Sequence, residues 1–211
     1  MSDSKTYNIA CVGDSITRGY GLIDPLKDSY PVILQQLMGE RFLVRNFGVN
    51  GATVLRNTPC PYAVSMECEA ALEWNPDIAV LELGANDILY IPGQEESFIF
   101  DYKCIIEAFM TQPKTQIILT SLIPILGVYG INDNELKIRH QKIQKLIKQL
   151  AKSYSLPMVD IWTPINNALR SQSSVLQDGI HPTEIGASIL ANSIHSAIGF
   201  IIDTSLKGVQ K

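Results

Sequence analysis

Five short β-type runs alternate with amphipathic helical stripes along the chain, and this alternation limits the fold more than any other feature of the 211 residues. The runs are Tyr7 to Val12, Phe42 to Phe47, Ile78 to Leu83, Gln116 to Leu122 and Leu156 to Ile161, each apolar and of strand length. Between them apolar residues recur at helical spacing: Ile33, Leu34, Leu37 and Met38; Phe98, Tyr102, Ile105, Ile106 and Phe109; Ile143, Leu146, Ile147 and Leu150; Ile185, Ile189, Ile194 and Ile198. Helix starts are marked by Ser29 before Pro31, by Asn132 with Glu135 as a capping-box-like pair, and by Thr183 just after Pro182. Repeated β-then-α order builds a parallel sheet with right-handed crossovers, so the expected fold is α/β, a three-layer α/β/α single domain over residues 1–211. No internal repeat, low-complexity segment or linker interrupts it. Ligands of such sheets bind at the carboxyl ends of the strands, which directs attention to the polar residues after each run.

Composition narrows the partners. Charged residues are 18% of the chain, against about a quarter in an average domain. The net charge of -4 comes without a long single-sign run, which leaves no electrostatic footprint for nucleic acid or anionic lipid. A small molecule, neutral or modestly charged, is the expected partner, with no nucleic acid and no membrane; the oligomeric state is left open. Two stretches of 18 residues lack Asp, Glu, Lys and Arg: Thr115 to Asn132 and Ile185 to Ile202. The first is broken by Pro124, Gly127 and Gly130 and the second carries Asn192, Ser193 and His195 mid-segment, so both are read as core rather than membrane spans. Met1 to Thr6 is polar and lacks the regions of a signal peptide. The expected location is cytoplasmic, or exported if a leader has been removed. Cys11, Cys60, Cys68 and Cys104 show no Cys-x-x-Cys pair and no His at ligand spacing. No metal and no other cofactor is expected, and the thiols are expected reduced, with a Cys60–Cys68 bridge open only to an exported form.

The strand ends carry the chemistry. Gly13-Asp14-Ser15-Ile16-Thr17 follows the first run, Asn46 to Thr53 ends and follows the second, Gly84-Ala85-Asn86-Asp87 follows the third, and Asp178-Gly179-Ile180-His181-Pro182 comes late. Singly each is weak: Gly-Asp-Ser is a common turn, Ser15 could cap a helix, Asn86 could be a turn residue, and His181 could be a core imidazole. Together they supply a nucleophile, a base and an orienting acid. A serine hydroxyl attacks only when an imidazole takes its proton, and the imidazole needs a carboxylate to fix its tautomer. Ser15, His181 and Asp178 are those three, with Asp178 and His181 close enough in one turn to pair locally. The negative oxygen of the tetrahedral intermediate needs donors, for which the Ser15 N–H, the Gly51 N–H and the Asn86 side-chain amide are the candidates.

These blocks resemble, in order and spacing from about Tyr7 to Ala187, the SGNH hydrolases, also called GDSL esterases and lipases. The resemblance implies a flavodoxin-like five-stranded parallel sheet and hydrolysis of acyl esters or related bonds through an acyl-enzyme. Thr17 stands where a Gly-x-Ser-x-Gly elbow would have its last glycine, so the α/β-hydrolase elbow is not the pattern present. Ser29-Tyr30-Pro31, Val44 to Val49, Trp74-Asn75-Pro76-Asp77, Asp101-Tyr102 and Pro124 look like bacterial carbohydrate O-acetylesterases, including sialate esterase-like proteins, although Ala85 replaces a Thr common in them. Members act on acetylated sugars, aryl esters, thioesters and lysophospholipids, and fold does not choose among these.

The remaining conspicuous residues are given lesser roles. His140 is expected on a solvated helix face, His195 as a packed imidazole, and Arg18 in a salt bridge rather than on a substrate carboxylate. Tyr62, Tyr90, Tyr129 and Trp162 could stack on a sugar, though core packing explains each at least as well. The expectation is therefore a serine esterase cutting short acyl groups, acetyl foremost, from a carbohydrate. The alternatives are a lysophospholipase or thioesterase of the same family, a carbohydrate-binding protein without catalysis, and a structural subunit of a larger complex.

Overall fold

The computed structural model describes residues 6–112, 114–127, 130–171 and 174–208, with side chains through residue 202. Its elements run β1 (Tyr7–Gly13), α1 (Ser15–Arg18), α2 (Pro25–Asp28), α3 (Tyr30–Met38), β2 (Phe42–Gly48), α4 (Met66–Glu73), β3 (Ile78–Glu82), α5 (Glu95–Met110), β4 (Gln116–Thr120), α6 (Asp133–Ser153), β5 (Met158–Val159), α7 (Trp162–Ser171) and α8 (Glu184–Gly208), with 3₁₀ turns at Tyr62–Val64 and Asn86–Leu89. The five strands form one parallel sheet in the order β2-β1-β3-β4-β5. Every residue of β3 is buried, as a central parallel strand covered on both faces must be. The edge strand β2 instead alternates half-buried and exposed residues along its first half.

The order of the strands places the helices. The crossover from β1 to β2 runs one way along the sheet, and those from β2 through β5 run the other. Right-handedness therefore puts α3 on one face and α4, α5 and α6 on the opposite one. α8 follows β5 and packs back on α3, while α5 packs on α6, which completes three layers. The direction of the chain reverses between β1 and β3. The connections leaving their carboxyl ends consequently go to opposite faces and open a crevice, the switch point at which doubly wound sheets hold ligands.

Each of the five β-type runs forms a strand, with small differences at the ends. β5 is only Met158–Val159: it is an edge strand, and Pro157, which has no N–H, contributes its carbonyl to Leu119 N (3.0 Å) instead. β4 stops at Thr120 because the Ser121 hydroxyl accepts from Ile161 N (2.9 Å) and Trp162 N (3.0 Å), turning the chain into a loop. Asn132 caps α6 by accepting from Glu135 N (3.0 Å). Ser29 precedes α3, but its side chain makes no cap bond. On α8 the buried stripe is Ala187, Leu190, Ala191, Ile194 and Ile198, whereas Ile185 is exposed. The segment Glu184–Ile202 is long and apolar enough to cross a membrane, yet one face of it is closed by the protein's own core. All four cysteines are free thiols, Cys11 and Cys68 buried.

Candidate active site

β1 delivers Ser15 to the crevice as the first residue of a single helical turn. Asp14 caps that turn by accepting from Ile16 N (2.9 Å), and Gly19 ends it at φ 87°. The turn is tied sideways to β2 by Asn46, whose amide donates to Thr17 O (2.8 Å) while its oxygen accepts from Gly48 N (2.9 Å). Ser15 is 7% exposed, so its hydroxyl reaches solvent from an otherwise closed floor.

The turn from Asp178 to His181 comes from the loop before α8. Asp178 Oδ1 accepts from Ile180 N (3.0 Å) and His181 N (2.8 Å), and Oδ2 lies 2.6 Å from His181 Nδ1. The other ring nitrogen, Nε2, lies 2.9 Å from Ser15 Oγ. In the neutral ring, an Nδ1–H donating to the carboxylate leaves Nε2 free to accept from the serine hydroxyl. Partial burial would raise the Asp178 carboxyl, but the bonds from His181 and Ile180 outweigh that and hold it below the usual value, so it stays ionised. Gly179 lets the turn form: its φ is +88°, and a Cβ there would lie 2.3 Å from Leu126 O. Leu126 N in turn donates to Gly179 O (2.8 Å), fixing the turn against the loop after β4.

All three expected oxyanion donors border the crevice. Among the described residues, neither Ser15 N nor Gly51 N has an acceptor within the protein. Gly51 has φ +76° and open space where a Cβ would be, so nothing obstructs its N–H. Asn86 is already engaged: Nδ2 donates to Ala52 O (3.0 Å) and to Asp14 Oδ2 (3.3 Å).

A layer of buried acids lies under the site. Burial raises both Asp14 and Glu82; the charge of Asp87 raises Asp14 further, and that of Asp14 raises Glu82 further. Asp87 is pushed up to about 6 by burial, against the pull of the Leu55 and Val54 N–H groups it accepts from. Glu82 Oε2 accepts from Thr17 Oγ1 (3.1 Å), which also meets Tyr30 OH (3.0 Å). Among the described residues its other oxygen and the Tyr102 hydroxyl are buried without partners. Asp101 accepts from Arg56 N (2.9 Å).

Two contributors carried no signal in the sequence. The Tyr20 ring lies against the His181 ring, centroids 4.6 Å apart and planes 50° apart. Gln177 joins the two loops: its side-chain nitrogen donates to Tyr20 O and Pro182 O (3.1 Å each) and its N–H donates to His181 O (2.9 Å). Other expectations change. His140 is buried, not solvated, its Nε2 2.8 Å from Ile123 O, because it shares a face with Leu136, Ile143 and Ile147. Burial lowers its basicity. Arg18 is exposed and, among the described residues, makes no salt bridge. His195 is half-buried. Tyr62 is wholly buried, its hydroxyl donating to Phe47 O (2.9 Å), whereas Tyr90 and Trp162 are each 36% exposed. Tyr129 lies outside the described residues.

Comparison with known proteins bears on the family and the fold. Residues 11–189 match the profile of the GDSL-like Lipase/Acylhydrolase family. An acetylxylan esterase of Xylanibacter ruminicola is 33% identical over 210 residues, covering 90% of this chain, which spans 42% of that protein's length. Among solved structures, an acetylxylan esterase from Geobacillus stearothermophilus superposes with a TM-score of 0.68 at 22% identity, over 94% of this chain and 97% of that one. An α/β hydrolase enzyme from the metagenome of Lake Arreo, Spain, superposes with a TM-score of 0.72 at 19% identity, over 92% and 96%. At these identities the two structures speak for the fold.

Proposed function

The chain belongs to the GDSL-like lipase/acylhydrolase family, and from that premise we propose that it is a serine esterase working through an acyl-enzyme, with acetyl esters of a carbohydrate as substrate. The observation that carries the reading is the unbroken line from Ser15 Oγ to His181 Nε2 (2.9 Å) and from His181 Nδ1 to Asp178 Oδ2 (2.6 Å). His181 takes the hydroxyl proton as Ser15 Oγ attacks the ester carbonyl, and Asp178 holds the charged ring. The oxyanion accepts from Ser15 N, Gly51 N and the Asn86 amide. His181 then gives its proton to the departing alcohol. Water, deprotonated by the same ring, attacks the acyl-enzyme and releases the acid and Ser15. The carbohydrate half of the proposal is supported by the 33% identity to the acetylxylan esterase.

A p-nitrophenyl ester series from acetyl to decanoyl, followed by acetylated xylo-oligosaccharides, tests it. The expected result is turnover of both kinds of substrate, with kcat/KM falling beyond about butyryl. Each methylene that fits an apolar pocket adds about 0.8 kcal/mol of binding, so a long-chain enzyme shows the opposite slope. A tenfold preference for octanoyl over acetyl would replace the carbohydrate reading with the lysophospholipase or thioesterase one.

A further inference from the structure

A second concavity adjoins the triad without sharing its residues. This pocket of about 740 Å³ lies between the loop after β4, the first half of α6 and the start of α7. Its back wall is bolted in place: His140 Nε2 meets Ile123 O (2.8 Å), and Gln144 Oε1 accepts from Leu122 N (3.0 Å). Trp162, whose backbone N–H donates to Ser121 Oγ (3.0 Å), is 36% exposed and lines the pocket. Asp133, Lys137, Gln141 and Asn166 complete the rim. Among the described residues none of these four side chains has a hydrogen-bond or ion-pair partner.

The lining indicates what it would hold. An exposed indole face beside unpaired amides, a carboxylate and an ammonium fits a sugar ring, whose C–H face stacks while its hydroxyls pair with the polar rim. An acyl chain would use the apolar floor of Ile125 and Leu136 alone and leave those polar groups to water. The wall between pocket and triad is Leu126, half exposed, whose N–H is bonded to the carbonyl of Gly179. Gly179 sits between Asp178 and His181, so a ligand crossing Leu126 arrives within about two residues' length, roughly 7 Å, of the base.

We infer that this pocket is an accessory sugar subsite, holding unacetylated units of a glycan chain whose acetylated unit lies at Ser15. The inference rests on the carbohydrate esterase reading above. The test compares wild type, Trp162→Ala and Asn166→Ala on acetylated xylohexaose and on p-nitrophenyl acetate, which is too small to reach from Ser15 into the pocket. In both variants the kcat/KM ratio of the first substrate to the second should fall, about tenfold for Trp162→Ala, through KM on xylohexaose. In parallel, unacetylated xylohexaose should quench the tryptophan fluorescence of wild type; Trp74 is packed against Phe47 and Arg45, so the responsive indole is Trp162. An unchanged ratio in both variants overturns the inference. So does a selective loss on octanoyl esters, which would make the pocket an acyl groove. If no ester is turned over, the esterase reading fails, and the quenching titration alone decides whether the pocket binds sugar.

Discussion

Ser15 must keep a hydroxyl at the surface while nearly everything around it is closed, and the single helical turn accomplishes this by handing its cap to Asp14. Because Ser15 contributes little to packing, Ser15→Ala should fold normally, judged by circular dichroism, while kcat on p-nitrophenyl acetate drops by about 10⁴ or more. Retention of a tenth of wild-type turnover would mean that another residue is the nucleophile. His181→Ala should be equally inactive. Asp178→Asn should keep somewhat more activity, since the N–H groups of Ile180 and His181 still hold the turn. Equal rates for Asp178→Asn and wild type would show that another group orients the ring. Asn86→Ala should lower kcat by about 10² to 10³ with little change in KM, because its donor is needed only when the oxyanion forms. The placement of Ser15 and Asn86 could be read from the chain because each follows a strand, and that of Asp178 and His181 because they lie three apart in one turn. Tyr20 could not: what makes it part of the site is a ring contact with a residue far away in sequence, and nothing local to Tyr20 announces it.

The loop carrying Tyr20 and the loop carrying His181 meet as elements, and Gln177 is the tie between them. Its two carbonyl contacts span 157 residues in one direction and five in the other. Gln177→Leu keeps the size of the side chain and removes both bonds. At roughly 1 kcal/mol of lost positioning, kcat on p-nitrophenyl acetate should fall about three- to tenfold with the melting temperature little altered. A variant as fast as wild type would make the tie ornamental. The strands were legible because buried parallel strands are continuous apolar runs. The helices were legible less evenly. On α8 the large isoleucines drew the eye to one stripe, while the core uses the stripe containing Ala187 and Ala191, which have little apolar surface to signal with. On α6 the burial of His140 was written in its spacing from Leu136, Ile143 and Ile147, but the flanking lysines and arginine suggested water.

For the whole molecule, the buried acids make stability depend on pH in the less common direction. Asp87, at about 6, and the raised Asp14 and Glu82 hold their protons more tightly when folded than the roughly 4 of an unfolded carboxyl. Their contribution is therefore complete below about pH 4 and is lost as pH rises through the folded values. Above pH 5 the exposed carboxylates are ionised in both states and add little slope. Thermal melts should show a falling Tm from pH 5 to pH 8. Glu82→Gln, which still accepts from Thr17 but cannot ionise, should flatten that fall by a few degrees, 1 kcal/mol being worth about 2–4 °C in a chain of this size. A Tm that climbs over the same range would contradict the burial of charge beneath the site.

Ser15 and His181 meet across 166 residues of chain, and that span is also an interval of time. A ribosome adding about 5–20 residues per second makes the serine roughly 8 to 33 seconds before it makes the histidine. Throughout that interval the growing polypeptide carries a hydroxyl with no base beside it, and β1, β3 and β4 can already pair around an inert centre. On the esterase reading the nascent chain is harmless to the ester: competence arrives when the turn bearing Asp178 and His181 closes against Leu126.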